Sequence, residues 1–517
     1  MPEGLGFSEL ASPVLPVIEV RAGDLHLHAT AAEAAIVASG LPIFQRGPNL
    51  VRPTVQELPA THGRVTLSAG LATMTVPALL DVCCQVASWE RFDGRTGGLV
   101  RTNPPKLVAD VLLSRAGQWH LPVVAGVITT PTMRPDGSIL SAAGYDAATR
   151  LYHAADTSLT LSPRLANPTR QDALAALDLL GGLLSEFPFV SPVARSVALA
   201  ALLTPVCRGA LPVVPLIAIR AHTAGTGKSY LVDVASAIAT GRPCPVISAA
   251  PGDDAETEKR LAGLLLAGTP VLSIDNVNGE LGGDLLCQAI ERPFVRLRPL
   301  GRSDIIEIES RATVFATGNN LRVRGDMVRR SLVCDLDAGL ERPELRRFQA
   351  DPVSTVLADR GRYVSAVLVI VRAYVLAGQP SPPPPLASFE AWSSLVRGAL
   401  LWLGTADPCA SMEAARDDDP ELTALNEMVT VWGAALGSVP TTCRDAINAA
   451  TDTLRNPGLH EVLARNAPGR FGIDPTRLGR WLLSREGRIV GGRRFKRDGV
   501  TAGSARWALV QVQAEGG

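Results

Sequence analysis

Lysine is almost missing from this chain: of its 50 basic residues only Lys106, Lys228, Lys259 and Lys496 are lysines. Net charge is missing too, because 50 acidic residues balance the basic ones. No global field would therefore draw the molecule onto nucleic acid or a membrane, and any such affinity must come from a local patch. No apolar run reaches the roughly 18 residues a bilayer needs; the best stretches, Val197 to Leu203 and Val364 to Leu376, are too short or broken by charge. Met1 to Gly23 lacks a basic start followed by an apolar run, so no signal peptide is expected. Among eight cysteines, Cys83 and Cys84 are adjacent and the rest are scattered, with no Cys-x-x-Cys pair of metal spacing and no dense disulfide framework, which suits a reducing cytoplasm. Internal repeats are absent as well. What remains is 517 residues at 46% hydrophobic content, enough for two to four domains with a core in each.

Three breaks in composition organise the chain. Residues 1 to about 170 are rich in Pro, Gly and short β-favouring runs such as Leu121 to Thr130, and end in Ser162-Pro163 and Asn167-Pro168. From Arg170 apolar positions recur at helical spacing across Asp172 to Leu184 and Pro192 to Leu203, with Asp172 as the expected N-cap. A long helix is expected from about Val353 to Ala377, and the Pro382 to Pro385 run after it reads as a linker, since neither a helix nor a central strand admits it. Helical segments around Phe389 to Leu403, an acidic loop at Asp417 to Asp419 and a small C-terminal unit follow. The expected fold class is α/β, with a mixed α+β N-terminal domain at 1–170 serving as collar or partner-binding accessory. A central domain at 171–385, a helical lid or linker at 386–460 and a C-terminal module at 461–517 complete it.

The chain does contain a phosphate loop. Val213 to Ala221 reads as a strand, His222 to Ser229 as a glycine-rich turn and Tyr230 to Ala239 as the opening of a helix. Gly227, Lys228 and Ser229 match the Walker A pattern, Gly225 adds a second flexible position, and His222 stands where the first glycine would be. In such a loop the backbone from Ala224 and Gly225 through Thr226 and Gly227 to Tyr230 surrounds the phosphates of ATP. Lys228 reaches the β and γ phosphates and the Ser229 hydroxyl ligates magnesium. Thr269 to Asn276 gives a second strand ending in Asp275, which would hold the same magnesium through water. Many P-loop ATPases place a glutamate next. Here the residue is Asn276, which orients water but cannot accept its proton, so Glu280 or another acid supplies the base or turnover is slow. A third strand, Ala312 to Ala316, ends at Thr317-Gly318-Asn319-Asn320, and Arg329-Arg330 follows Gly325-Asp326.

These motifs occur in that order within about 110 residues. The set resembles the helicase-like AAA+ ATPases of prophages, plasmids and integrated mobile elements, related to superfamily 3 and MCM-type replicative helicases and often described as primase-helicase proteins. The resemblance covers roughly residues 171 to 350, where Glu258 to Leu261, Leu300-Gly301 and Gly325-Asp326 also follow the pattern, with a weaker likeness at Pro131 to Tyr145. It implies a central AAA+ P-loop ATPase domain working in a homo-oligomeric ring, expected to be a hexamer. Asn319 would be the sensor of the γ phosphate with Asn320 in reserve, and Arg330, with Arg329 as the alternative, the finger reaching a neighbouring subunit's nucleotide. His222 and Asn276 depart from the family and bear on the rate of hydrolysis rather than on nucleotide binding. The first 170 residues hold no Asp-x-Asp pair with a downstream histidine in a convincing strand; Asp24 to His28 is the nearest and reads as an amphipathic strand with exposed histidines. Primase chemistry is therefore left to a separate primase or polymerase partner.

Two segments carry the expected DNA contacts. Val295 to Glu309 alternates apolar residues around Gly301 to Asp304 and reads as a β-hairpin with Arg302 at its tip. Related ring helicases project a hairpin from this point into their channel, which implies Arg296, Arg298 and Arg302 as phosphate contacts to single-stranded DNA. Arg470 to Trp507 holds ten Arg or Lys against three Asp or Glu, a local charge of plus seven inside a neutral chain. Asp474-Pro475 starts a helix with Leu478, Trp481 and Leu482 on one face and Arg477, Arg480 and Arg485 off it. Strands and a wing bearing Arg493, Arg494, Lys496 and Arg497 follow, so the module is expected to be a winged helix holding duplex DNA. The expected activity is an ATP-dependent DNA helicase replicating a mobile element. The alternative is an ATP-switched initiator or helicase loader that does not unwind.

Overall fold

The computed structural model describes residues 15–59, 65–250, 254–299, 304–346, 348–417, 420–470 and 472–512. Arg302 at the expected hairpin tip, and Asp418 and Asp419 of the acidic loop, lie outside them. The chain divides into two compact units, one of residues 1–278, 283–320 and 332–409, the other of 279–282, 321–331 and 410–517.

In the first unit, Val17–Val20 pairs parallel with Ser88–Asp93, which pairs antiparallel with Gly98–Arg101. Helices Leu25–Ser39, Val76–Val86 and Lys106–Ser114 pack on this sheet around Ile18, Ile36, Leu79, Trp89, Val108 and Leu112. The expected strand at Asp24 to His28 is instead the start of a helix. Six alanines follow within 15 residues, and their helical propensity overrides the two-residue alternation, while Gly40 at φ 68° closes the last turn. His28 is buried and accepts the Arg21 N–H at 3.1 Å, so it is a core group and not an exposed one. The strands Phe44–Arg46, Asn49–Pro59 and Val65–Thr73 form a separate meander.

Helices Arg170–Leu183 and Pro192–Val206 lead into the central sheet. The cap of the first is Thr169. Asp172 sits three residues inside and returns a bond to the Thr169 N–H, a reciprocal capping box whose two polar residues the sequence pattern had not ordered. The sheet elements are β1 Leu216–Ala221, α1 Lys228–Thr240, β2 Val246–Ser248, α2 Asp254–Leu266, β3 Val271–Asp275 and α3 Asp284–Glu291. The antiparallel pair β4 Phe294–Leu297 and β5 Ile306–Glu309 comes next, then β6 Thr313–Asn319 and β7 Ser331–Leu336. The five-stranded order is β2-β3-β6-β1-β7, and the pairs β2-β3, β3-β6 and β6-β1 are parallel. β1, β3 and β6 are almost continuously buried along their length, as central strands covered on both faces must be. Because β6 lies between β1 and β3, with Ala221 opposite Asn319, the tips of all three strands open side by side at the carboxyl edge.

The expected helix from 353 to 377 is two helices, Pro352–Ala358 and Arg360–Leu376, broken at Asp359 with φ −146° and ψ 64°. The break frees Arg360, which is buried, to donate to the Ile238 and Ala239 carbonyls at 3.1 and 3.2 Å and to pair with Asp156 at 3.2 Å. A guanidinium on the last carbonyls of α1 complements the negative end of that helix and anchors it from behind.

The second unit holds the helix Ala410–Asp417 and gathers Pro420–Leu436, Cys443–Thr451, Pro457–Asn466 and Pro475–Leu483 around Leu425, Trp432, Leu463, Leu478, Phe495 and Trp507. Its sheet runs Thr441–Thr442, Ser504–Gln511, Arg493–Thr501, all antiparallel. Short strands Glu280–Leu281 and Arg322–Val323 pair parallel in the same unit. Among the described residues no helix is long and apolar enough to cross a membrane.

Candidate functional site

Between β1 and α1 the backbone makes a turn that only glycine accommodates at two points. Gly225 and Gly227 have φ of 74° and 95°, and a Cβ on Gly225 would lie 2.8 Å from the Glu344 backbone nitrogen. The short 3-10 turn Pro343–Leu345 thus packs directly on the loop. α1 starts without a side-chain cap, so the N–H groups of its first turn are left to the loop, an arrangement that favours anions.

Lys228 Nζ donates to Asn319 Oδ1 at 2.8 Å, to the Thr223 carbonyl at 3.0 Å and to Thr226 Oγ1 at 3.3 Å. Burial pushes the ammonium pKa down from its ordinary value, and the nearby Asp275 carboxylate works against that shift. At the end of β3, Asp275 Oδ1 accepts from the Ser229 hydroxyl at 3.3 Å, from its neighbour's backbone Asn276 N–H at 2.8 Å and from the Thr317 hydroxyl. The predicted residues Lys228, Ser229, Asp275 and Asn319 are therefore brought into one cluster. Ser229 and Asp275 offer adjacent hard oxygens. That donor set fits magnesium, which takes one or two protein oxygens and keeps waters. Among the described residues no three His, Cys, Asp or Glu side chains gather as a cage for a different ion.

Asn276 has φ 57°, a left-handed conformation that asparagine tolerates better than glutamate. Asn320 shares it at φ 53°, its N–H donating to the Ala221 carbonyl at 3.1 Å, and its side-chain Oδ1 lies 3.3 Å from His222 Nδ1. Tyr230, half exposed, bonds through its hydroxyl to Asp351, accepts the Val353 N–H at 3.2 Å and lies with its ring 6.4 Å from that of Phe187 at 23°. Burial, followed by the Asp351 contact, pushes its phenol up to about 12. Ala224 is exposed and Thr226 buried.

Thr317, Phe187 and Glu344 are site residues that motif reading missed. Thr317 had a signal: it lies two residues before Asn319 on a strand, so both side chains share a face. Phe187, in contact range of Gly227, and Glu344 come from loops remote in sequence and had none.

The arginine pair belongs to the second unit. Arg330 is buried, donating to the Asp326 carbonyl at 2.8 Å and pairing with its carboxylate. Arg329 is half exposed and meets the same carboxylate at 2.6 Å. Glu280 is in that unit too, paired with Arg324 at 3.4 Å. On the β4–β5 hairpin, Val295, Leu297, Ile306 and Ile308 are buried while Arg296 and Arg298 are exposed, with Arg296 held across the strands to Glu307 at 2.9 Å. In the C-terminal module Asp474 caps the 475–483 helix through the Thr476 and Arg477 N–H groups, and the Arg477 guanidinium also donates to the Pro468 carbonyl at 2.5 Å. Arg480, Arg493 and Lys496 are exposed and Arg494 is half-buried. Arg497 is occupied by Glu486 at 3.5 Å and by the Trp507 ring at 5.4 Å.

No family model matches this sequence, and no curated protein matches it. Among solved structures it is similar to the A form apo structure of the C-terminal region of NrS-1, with a TM-score of 0.33 and 10% identity over 93% of this chain and 99% of that one.

Proposed function

We propose that the chain is an ATP-dependent DNA helicase that works as an oligomeric ring, a hexamer in the reading preferred here, in the replication of a mobile element. The observation that carries the nucleotide half is the cluster at the tips of β1, β3 and β6. There Lys228 meets Asn319 while Ser229 and Thr317 meet Asp275. In this AAA+ reading the N–H groups of 224–230 bind the phosphates, and Lys228 leaves the Thr223 carbonyl to reach the β and γ oxygens. Asn319 follows the γ phosphate as the sensor. Magnesium, when bound at Ser229 and Asp275, neutralises charge that develops on the phosphates. Phe187 and Tyr230 supply ring surface beside Gly227 for the base.

In the ring, Arg329 is the better candidate of the pair for a neighbour's nucleotide because it is the more exposed, and Arg330 braces its own turn on Asp326. Hydrolysis drives the β4–β5 hairpin along single-stranded DNA, with Arg296, Arg298 and Arg302 on phosphates. The C-terminal winged helix holds duplex DNA through Arg477, Arg480, Arg493, Arg494, Lys496 and Arg497. A primase or polymerase partner and a cytoplasmic location complete the proposal.

The test is ATP hydrolysis with and without single-stranded DNA, beside unwinding of a forked duplex, for wild type and Lys228→Ala. DNA-stimulated hydrolysis and unwinding, both lost in the variant, are expected. A second reading, an ATP-switched initiator or helicase loader, is favoured by Asn276, which removes the usual proton acceptor. Hydrolysis without unwinding would leave that reading in place of the first.

A further inference from the structure

Asn276 stands where a P-loop ATPase usually places the carboxylate that takes the proton of the attacking water, and Glu344, which packs on Gly225, pairs with Arg342 at 3.1 Å. Asn276 cannot accept it. Asp275 already accepts three donors, and Asp233, one and a half turns into α1, accepts the Cys244 N–H at 2.8 Å. At the head of the same loop, where the motif has glycine, stands His222. Its exposed ring places Nδ1 3.3 Å from Asn320 Oδ1. An amide oxygen only accepts, so the bond puts the ring proton on Nδ1 and leaves the Nε2 lone pair open. Asn320 is itself held, by its left-handed backbone at φ 53° and its N–H bond to Ala221 at 3.1 Å, and it adjoins Asn319, which grips Lys228.

We infer that His222 is the proton acceptor of this site and that Asn320 is the positioning residue that fixes its tautomer. The inference rests on the ATPase reading above. Water attacks the γ phosphorus, the bond to the β–γ bridging oxygen breaks and ADP leaves. The water proton passes to His222 Nε2 and from there to solvent.

The test exploits the glycine the motif expects. His222→Gly should fit the loop without strain, and by motif logic alone it should be neutral or beneficial. We expect it, and His222→Ala, to keep ATP affinity within about twofold while turnover falls by about a hundredfold, the lower end of what a positioned base contributes. Added imidazole should restore turnover in proportion to its concentration. Asn320→Ala should lower turnover less and gain nothing from imidazole, since its base is still present. Wild-type turnover in His222→Gly, or a loss that imidazole does not relieve, would each overturn this inference alone, whereas a wild type that binds ATP and does not hydrolyse it would overturn the ATPase reading and this inference together. A wild type that binds no ATP would overturn the nucleotide reading and this inference with it.

Discussion

Thr317 and Asn319 project from the same face of β6, and one holds Asp275 while the other holds Lys228. A single strand thus sets the spacing between the Lys228 ammonium and the Asp275 carboxylate. Moving either strand tip would separate the two halves of the site.

Thr317→Val keeps the shape of the side chain and removes a donor to Asp275. A partly buried carboxylate left short of one donor loses on the order of 1–3 kcal/mol of preference for its bound geometry. We expect the magnesium concentration for half-maximal ATPase to rise about tenfold, with nucleotide binding in EDTA unchanged; a titration of magnesium against hydrolysis checks it, and an unshifted midpoint removes Thr317 from the site.

Gly225→Ala meets both a positive φ and the Glu344 backbone at 2.8 Å. The loop must shift, so thermal unfolding is expected to show a loss of about 1–3 kcal/mol together with weakened ATP binding. Unchanged stability would mean that the 343–345 turn yields freely.

Asn276→Glu, which places the residue many P-loop ATPases have at this position, is expected to destabilise the fold by about 1 kcal/mol because φ is 57° there, whereas Asn276→Gly should be neutral or slightly stabilising. Denaturant titration of the two variants decides between backbone strain and chemistry as the reason for asparagine.

Arg296→Glu with Arg298→Glu reverses charge on the exposed face of the β4–β5 hairpin. Single-stranded DNA affinity should fall uniformly across sequences, and the slope of its logarithm against salt should shrink by about one to two, with basal ATPase retained. The lost Arg296–Glu307 pair is exposed and contributes at most about 1 kcal/mol, and the like charges that then face each other across the strands cost a similar amount, so the unfolding midpoint should fall only slightly. An unaltered salt slope would remove the hairpin from the DNA path.

Asp326 accepts from Arg329, the largest cause of its lowered pKa, and from Arg330, while desolvation opposes them. The folded carboxyl is thus more acidic than the unfolded one. Its contribution is complete above the unfolded carboxylate pKa of about 4 and is lost as pH falls through the lower folded value. The protection of the 325–330 amides against hydrogen exchange, taken relative to their intrinsic rates, should fall below about pH 4 in wild type. It should already be low at neutral pH in Asp326→Asn.

The cluster of Lys228, Ser229, Asp275 and Asn319 was legible in the sequence because its parts are local: Gly227-Lys228-Ser229, the strand ending in Asp275 and the strand ending in Asn319 each announce themselves within a few residues. The alternation around Val295 and Ile308 likewise marked the hairpin, since a two-residue period is a property of the strand itself. Asp24 to His28 failed because five residues of alternation compete with an alanine-rich stretch, and propensity summed over 15 residues is the larger quantity. By itself the sequence determined the glycine-rich turn between strand and helix, the Asp275 carboxylate at a strand end, the polar tip at Asn319 and the basic C-terminal stretch. Only the tertiary structure decided that β6 lies between β1 and β3, that Thr317 serves Asp275, that Glu344 and Phe187 close on the loop, and that His222 faces Asn320. Those relations join residues dozens to more than a hundred positions apart, and strand order, which no short window of sequence contains, is what brings them together.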